Sequence, residues 1–345
     1  MQLPREVIVG NGTLERVPEI TLRLGFTKSA LIVAGLRTYD IAGKTVKKLL
    51  EKDGMEVNTV LVKSATVKDV EAVEEKIKIL KPQVVFGVGG GTKIDVAKLS
   101  SARQHVPFIS VPTTASHDGI ASPLSSIKGF EKPYSVMAQA PIAIIADTDI
   151  IMRSPWRSIT SGCGDVIAKF TAVRDWKLAH KEKNEYYGGY AASLALMSAK
   201  LVIENADIIK PDNEEGLRIL IEALISCGVA MSIAGSSRPC SGSEHLFSHA
   251  LDIIASSSHG LHGEQCGVGT VIMAYLHRAN WKHIRDTLKK IGAPTNAEGL
   301  SVKENDVITA LKLAATLRPE RYTILNKLNL SSEAYEKVAK TTGVI

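Results

Sequence analysis

Several histidines and one aspartate in the second half of the sequence have the composition of a metal site. Four of the nine histidines fall between positions 245 and 262, in the segments SGSEHLFSHALD (241–252) and HGLHGEQCG (259–267). His245 and His249 are four residues apart, so on a helix they share one face. Asp165 follows two glycines and would open a helix. Imidazoles with one carboxylate suit a catalytic Zn²⁺ site that keeps a position open for substrate.

Each of these residues also has an ordinary structural explanation. A single histidine on a helix is more often a hydrogen-bonded residue than a ligand, and an aspartate at a helix start is usually an N-cap. His259 and His262 lie at a predicted loop–helix junction. The Cys₂His₂ and HExxH spacings are absent. Spacing alone therefore does not decide whether these residues bind a metal.

A glycine-rich segment, VVFGVGGGTKIDVAK (84–98), links a predicted strand to a predicted helix. Glycine lets the backbone approach a phosphate because no Cβ intervenes. The helix that starts near Lys93 would point free N–H groups at that phosphate. The glycines are Gly87, Gly89, Gly90 and Gly91. The GxGxxG and GxxxxGK[ST] patterns are absent, and a tight turn is the alternative, but the density of glycine favours phosphate binding.

The following predicted strand runs into VPTTASHDGIASP (111–123), a loop dense in hydroxyl groups. Hydroxyls can bind phosphate, ribose or amide groups, and ligands of parallel sheets bind beyond the carboxyl ends of the strands. The polar residues of the loop include Thr113, Thr114, Ser116, Asp118 and Ser122. A polar loop with an Asx turn is the alternative.

The elements that must position these residues change in kind near residue 150. Apolar runs at 31–35, 57–62, 84–88 and 106–112 predict strands, and helical patterns lie between them at 39–53, 67–80 and 93–104. This alternation predicts a Rossmann-like parallel sheet with helices on both faces. After 142–151 the patterns are helical, at 165–183, 188–205, 214–233, 243–255, 266–291 and 304–316. We therefore predict an α/β dinucleotide-binding domain at 1–152 and an all-α metal- and substrate-binding domain at 153–345.

Composition limits the class of protein. The chain has 345 residues, of which 45% are hydrophobic and 23% charged, as is typical of a globular protein with a large core. The net charge of +6 is spread along the chain, so we expect no nucleic-acid partner. Four cysteines without a CxxC pair favour a reducing compartment. The apolar stretch 219–235 contains Glu222, which indicates a buried helix rather than a membrane span. We expect a cytoplasmic homo-oligomer.

Taken together in this order, five motifs resemble the archaeal sn-glycerol-1-phosphate dehydrogenases. They are GVGGGTKIDVAK, PTTASHDGIASPLSS, SGCGDVIAK, SGSEHLFSHALD and HGEQCGVGT. The resemblance covers nearly the whole chain and implies a dehydroquinate synthase-like fold. It also implies reduction of dihydroxyacetone phosphate to sn-glycerol 1-phosphate by NAD(P)H, for archaeal membrane ether lipids, with Zn²⁺ in a cleft between the two domains.

The resemblance assigns roles to individual residues. Zinc ligands would be Asp165, His245 and His262, although the ligand could instead be His249, as in the related glycerol dehydrogenases. Asp118, Asp165 and His249 would be the catalytic and substrate-binding residues. The dinucleotide would be held by Gly89, Gly90, Gly91, Thr92, Lys93, Ile94, Asp95, Thr113, Thr114, Ala115, Ser116 and Ser122. Arg37 would pair with an NADP 2′-phosphate or be a solvated surface arginine.

Two points of mechanism and three rival functions stay open. The proton for the reduced substrate could come from His249, because imidazole titrates in the right range, or from a water near Asp118. Lys169 could bind the substrate phosphate or be a surface lysine.

The rival functions are a glycerol or alcohol dehydrogenase, a lyase of the 3-dehydroquinate synthase type and a non-catalytic nucleotide-binding module. Asp165 argues against the lyase, because the 3-dehydroquinate synthases resemble a pattern in which Glu occupies the corresponding ligand position.

Overall fold

The computed structural model describes residues 1–129, 135–255 and 260–345. These residues form two compact units, Met1–Pro155 and Trp156–Ile345. Each unit has its own arrangement of secondary structure, and each is described separately below.

The first unit is built on a six-stranded parallel sheet with the order β1-β8-β5-β4-β2-β3. Its strands are β1 (Glu6–Gly10), β2 (Ser29–Ala34), β3 (Glu56–Leu61), β4 (Val84–Gly89), β5 (Phe108–Pro112) and β8 (Ala143–Asp147). An antiparallel pair, β6 (Leu124–Ser126) and β7 (Ser135–Met137), lies outside this sheet. The central strands β2, β4, β5 and β8 are almost fully buried, which explains their continuous apolar runs.

Helices connect the strands of the first unit. They are α1 (Val17–Arg23), α2 (Leu36–Thr38), α3 (Lys44–Lys52), α4 (Val67–Leu80), α5 (Gly91–Arg103) and α6 (Thr148–Met152), with short 3₁₀ turns at Thr13–Arg16 and Asp118–Ile120 and a π turn at Tyr39–Gly43. After β2 the chain adds β3 on one side, and then crosses back to place β4 on the other side of β2. In doubly wound sheets such a reversal marks the ligand-binding edge, and the glycine-rich segment follows β4 at this point.

Among its described residues, the second unit consists of helices joined by loops. Its helices are α7 (Trp156–Lys183), α8 (Gly189–Glu204), α9 (Glu214–Ala234), α10 (Ser243–Ile254), α11 (His262–Leu276), α12 (Trp281–Ile291), α13 (Glu304–Leu317), α14 (Ile324–Leu328) and α15 (Ser332–Thr342). By length and composition α9 could cross a membrane, but 56% of its most apolar window is buried inside the protein, as in a core helix. The predicted fold class, a parallel α/β unit followed by a helical one, is confirmed.

The element prediction differs from the structure in four details. The strand β1 and the pair β6–β7 were not predicted. The helix predicted at 266–291 is two helices, because α11 ends at Leu276 and the side chain of Asn280 caps the start of α12. The helix predicted at 165–183 begins at Trp156, so Asp165 lies in the middle of α7 and is not an N-cap.

Candidate metal centre and dinucleotide loop

The close packing of α7 on α11 explains why a glycine directly precedes Asp165. A Cβ on Gly164 would lie 2.2 Å from the carbonyl oxygen of Gly263, and a Cβ on Gly263 would lie 1.9 Å from that of Ser161. The two backbones can approach this closely only because both residues lack side chains. Asp165 directly follows Gly164 on α7, and His262, the first residue of α11, directly precedes Gly263. The glycines therefore bring the two side chains together.

Four potential ligand atoms converge where α7, α10 and α11 meet. They belong to Asp165, His245, His262 and Cys266 and lie within 4.8 Å of one another. The Nε2 atom of His245 is 3.4 Å from the Asp165 Oδ1 atom, and Cys266 Sγ is 3.6 Å from His262 Nε2. A carboxylate, two imidazoles and a thiol form a donor set that suits Zn²⁺.

Hydrogen bonds at the far nitrogens orient both imidazoles. His245 Nδ1 is 2.9 Å from the Glu244 carboxylate, and His262 Nδ1 is 3.1 Å from the hydroxyl of Ser248. The Glu244 carboxylate accepts a hydrogen bond from Nδ1 of His245, and this contact fixes the ring so that Nε2 is the nitrogen that faces Asp165. Ser248 donates to Gln265 Oε1, so its own oxygen can accept the Nδ1 proton of His262. In each ring Nε2 is therefore the nitrogen that a cation bound among these residues would meet.

The charges around Asp165 favour its ionised form. Burial raises the pKa of this carboxyl, but the Lys169 ammonium and His245 hold it well below its usual range. Lys169 is fully buried, and its Nζ lies 2.8 Å from Asp165 Oδ1. It is therefore not the surface lysine that the sequence allowed. Burial also raises the pKa of the Cys266 thiol, yet His245 and His262 bring it down to about 7.

His249 is near this centre but is not one of the four converging residues. Its ring centroid is 6.1 Å from that of His262, compared with 5.1 Å between the rings of His245 and His262. Burial and the neighbouring positive charges lower the pKa of His249 to about 3. This imidazole is thus neutral at physiological pH, contrary to the expectation that it titrates in that range. His259 lies outside the described residues.

The glycine-rich segment of the first unit forms the turn from β4 into α5. Gly89 has φ +152°, a conformation that favours glycine. Gly90 is the N-cap of α5 and has no side chain, so it provides no acceptor for the first N–H groups of the helix, those of Gly91 and Thr92. A Cβ on Gly90 would lie 3.1 Å from Thr114 Cγ2, and one on Gly91 would lie 1.7 Å from the imidazole of His117. The turn is therefore closely covered by the loop that follows β5.

The other residues predicted to bind the dinucleotide lie around this turn or support it. Thr113 donates its N–H to the carbonyl of Gly89, whereas Lys93 Nζ donates to the carbonyl of Lys63. Asp95 is buried, with its carboxylate 3.3 Å from Lys98 Nζ and 3.1 Å from the N–H of Ser126. Ile94 and Ala115 are buried, Thr114 and Ser116 are partly buried, and Ser122 donates to the carbonyl of Leu124. Asp118, which was predicted to contact substrate, is also partly buried.

Arg37 is exposed in α2, directly after β2. The neighbouring hydroxyl of Thr38 donates to the carbonyl of Val88, with an oxygen–oxygen distance of 3.0 Å, and accepts from the N–H of Gly35. This hydroxyl ties the end of β2 to the end of β4. Arg37 therefore stands at the same edge of the sheet as the glycine turn.

Sequence reasoning missed three residues of the metal centre. Cys266 is four residues after His262, so the two share a helical face, and this spacing was a usable signal. Glu244 precedes His245 directly, and Ser248 lies on the same helix, but their contacts depend on ring orientations that no spacing reports. These two contacts could be found only in three dimensions.

Comparison with known proteins places this fold in a large class of dehydrogenases. Residues 8–155 match the family model described as iron-containing alcohol dehydrogenase. Glycerol dehydrogenase from Schizosaccharomyces pombe has a similar structure, with a TM-score of 0.79 over 100% of this chain and 93% of that one, at 21% identity. A butanol dehydrogenase from Thermotoga maritima gives a TM-score of 0.74 over 99% and 98% of the two chains, at 18% identity. These two likenesses show the fold alone.

Sequence relatives narrow the class to one family. A protein of Methanosarcina mazei is 56% identical over 100% of this chain and 96% of its own length. Proteins of Thermococcus sibiricus and Pyrococcus furiosus are 55% and 54% identical over 100% of this chain and 98% and 99% of their own lengths. All three are named glycerol-1-phosphate dehydrogenase [NAD(P)+]. The chain belongs to this family of oxidoreductases.

Proposed function

We propose that this protein uses NAD(P)H to reduce dihydroxyacetone phosphate to sn-glycerol 1-phosphate, the backbone of archaeal ether lipids. Family membership supports the reaction class. The observation that carries the chemistry is the convergence of Asp165, His245, His262 and Cys266, with both imidazole Nε2 atoms directed inwards. A cluster of this composition is not required by a module that only binds a nucleotide. Cytoplasmic location and a homo-oligomeric state remain predictions.

The residues of this cluster fit Zn²⁺. We propose Asp165, His245 and His262 as ligands, and Cys266 as a donor within reach of the same cation. When bound, the cation would polarise the substrate ketone while the reduced nicotinamide supplies the hydride. Glu244 and Ser248 hold the two imidazole rings in the tautomers that make this possible.

Substrate contacts in the second unit come from Asp165 and His249 in this proposal. A neutral His249 imidazole can hydrogen-bond to a substrate oxygen, but burial and the neighbouring positive charges, which lower its pKa to about 3, disfavour the imidazolium form that would act as a general acid. We therefore propose water as the source of the proton that completes the reduction. The role of Asp118 as a substrate contact remains a prediction.

The first unit would bind the dinucleotide through the turn between β4 and α5. The uncapped start of α5 offers backbone N–H groups to the pyrophosphate. The loop at Thr113–Ser116 covers the same turn. Arg37, at the neighbouring edge, would meet the 2′-phosphate of NADP.

The experiment uses the purified, metal-replete protein. Loss of NADPH absorbance is followed with dihydroxyacetone phosphate, dihydroxyacetone or glyceraldehyde 3-phosphate, zinc is quantified by mass spectrometry, and the product is resolved on a chiral column. We expect about one zinc per subunit and the sn-1 phosphate as product. Activity with dihydroxyacetone alone would indicate a glycerol dehydrogenase. Release of inorganic phosphate from a sugar-acid phosphate, without net oxidation of the nicotinamide, would indicate a lyase. As a control, His262→Ala should lose zinc and activity and keep dinucleotide binding.

A further inference from the structure

A buried carboxylate on α7 connects the three helices that carry the potential metal ligands. The side chain of Asp175 is fully buried. Its Oδ2 atom accepts a hydrogen bond from the backbone N–H of Ser243 at 2.7 Å and another from the hydroxyl of the same residue. Its Oδ1 atom accepts from Nε2 of His277 at 2.9 Å and from the N–H of Ile324 at 2.7 Å. Each oxygen therefore has two donors, which is the number that its two lone pairs can accept.

The contact with Ser243 holds the start of α10 against α7. Ser243 is the first residue of α10, and the N-cap of this helix, Gly242, has no side chain to accept its first N–H groups. Asp175 supplies an acceptor from α7 instead. The two backbones are also close here, because a Cβ on Gly242 would lie 2.8 Å from the Cα of Ala172. His245 follows Ser243 by two residues, so Asp175 fixes the turn of helix from which this imidazole extends.

The contact with His277 holds the other end of α11. His277 directly follows this helix and is its C-cap. At the start of α11, Gly263 lies against the backbone of Ser161 on α7. The helix is therefore held on α7 at both ends. His262 and Cys266, the two residues of α11 that converge on the candidate metal centre, lie between these two points of attachment or directly beside the first.

The contact with Ile324 has a purely structural explanation. Ile324 is the first residue of α14, a helix that carries none of the four converging residues. An acceptor at the start of a helix stabilises it wherever it lies. The contacts with Ser243 and His277 differ from this one, because they join ligand-bearing helices to the helix that carries Asp165. Zinc–ligand distances tolerate deviations of only about 0.2 Å, so small displacements of these helices matter.

We propose that Asp175 is a positioning residue of the metal centre. It sets the placement of α10 and α11 on α7, and through these helices the placement of His245 and His262 relative to Asp165. Asp175 is not itself one of the four converging residues. Sites of this kind keep their geometry when the ligands stand on elements that are fixed by packing and hydrogen bonds. The inference rests on the proposed function, because its consequence for zinc requires the metal centre.

The test compares Asp175→Asn with a variant that is weakened elsewhere in the same unit. The amide replaces one acceptor oxygen by an NH₂ group that faces two donors, so one pair of contacts is lost. We expect zinc affinity, measured by chelator competition on folded protein, to fall on the order of 10-fold. The absorption bands of the Co²⁺-substituted protein, which report the geometry around the ion, should shift as well.

Asn213→Ala is the matched control. Its side chain accepts the N–H of Gly216 at 2.9 Å and caps α9, a helix that carries none of the four converging residues. This variant should unfold at a lower temperature but keep the zinc affinity and the cobalt spectrum of the wild type. Both variants should bind NADH as the wild type does, because the dinucleotide turn belongs to the first unit.

A role in stability alone would give a different result. Asp175→Asn would then unfold at a lower temperature and keep the zinc affinity and cobalt spectrum of the wild type, as the control does, and this refutes the proposal. If Asp175→Asn does not fold, Ser243→Ala and His277→Phe carry the test, because each removes one of its contacts. Each should weaken zinc binding several-fold, and wild-type affinity in both also refutes the proposal.

Amide hydrogen exchange in the metal-free protein separates this inference from the proposed function. A wild type that binds no zinc would contradict the proposed function. In that case, faster exchange in the first turn of α10 and the last turn of α11 in Asp175→Asn, and not in Asn213→Ala, would still support the positioning role. Exchange at the wild-type rate in both turns would overturn it.

Discussion

The contact between α7 and α11 should be the least tolerant of added volume in the second unit. A Cβ on Gly263 would lie 1.9 Å from the Ser161 carbonyl oxygen, whereas real contacts of this kind are almost never below 3.0 Å. The obstacle is backbone, so the helices must separate by about 1 Å, and overpacking of this kind costs roughly 1–3 kcal/mol. For a unit of this size, that loss lowers Tm by roughly 2–12 °C.

The same displacement should disrupt metal binding. Asp165 lies on α7 and His262 on α11, and zinc–ligand distances tolerate deviations of only about 0.2 Å. We therefore expect Gly263→Ala to bind zinc far more weakly than the wild type, as measured by chelator competition.

Other glycines provide a graded series for this experiment. Gly267→Ala should have a smaller effect, because its Cβ would meet the flexible Leu288 side chain at 3.2 Å. Gly189→Ala should be neutral, since nothing lies within 4 Å of its Cβ. Thermal unfolding and zinc stoichiometry are measured for all three variants. If Gly263→Ala unfolds at the wild-type temperature and retains zinc, the close approach of the two helices is not what assembles the centre.

Four further substitutions test individual contacts. Glu244→Gln should weaken zinc binding by about 10- to 100-fold, because it removes the charge that orients His245; chelator competition at the wild-type value would contradict this. Cys266→Ser should lower zinc affinity if the thiol is a ligand, and an unchanged affinity would limit the donor set to the other three residues. Gly90→Val should weaken NADH binding in a fluorescence titration, because its side chain would fill the space between the turn and Thr114; equal affinity would count against a phosphate at this turn. Arg37→Ala should weaken NADPH binding more than NADH binding, and equal losses would exclude a 2′-phosphate contact.

The fold could be predicted from the sequence because its main signals are local. The helix predicted at 67–80 has the same bounds in the structure, since its N-cap Thr66 and its apolar spacing both lie within the segment. The edge strand β1 was missed because edge strands bury only part of their residues, and the burial of β1 is incomplete. The break between α11 and α12 depends on a cap at Asn280 that competes with a continuous helical pattern.

The candidate site was predictable in its ligand types and less so in its supporting contacts. Asp165, His245 and His262 are residue types that stand out in a sequence as potential ligands, and the structure brings their potential ligand atoms within 4.8 Å of one another. Their partners Lys169, Glu244 and Ser248 are ordinary polar residues, and only the packing of three helices gives them their roles. The lowered pKa of His249 could not be predicted for the same reason, because it arises from burial and then from the charges of His262, His245 and two arginines, which only the packing brings near.

Glycine has a different physical meaning in each unit, and sequence does not separate the two. In the first unit Gly89–Gly91 forms a turn into a helix whose N-cap has no side chain. In the second, Gly164 and Gly263 lie within helices and bring two backbones together. Both patterns place glycine beside a polar residue that could bind a ligand or a metal. The segment around Asp165 was therefore interpreted as a helix start. The two roles differ in which neighbouring atoms an added Cβ would contact. Where those atoms belong to the backbone of a helix that is distant in sequence, only the three-dimensional structure shows the contact.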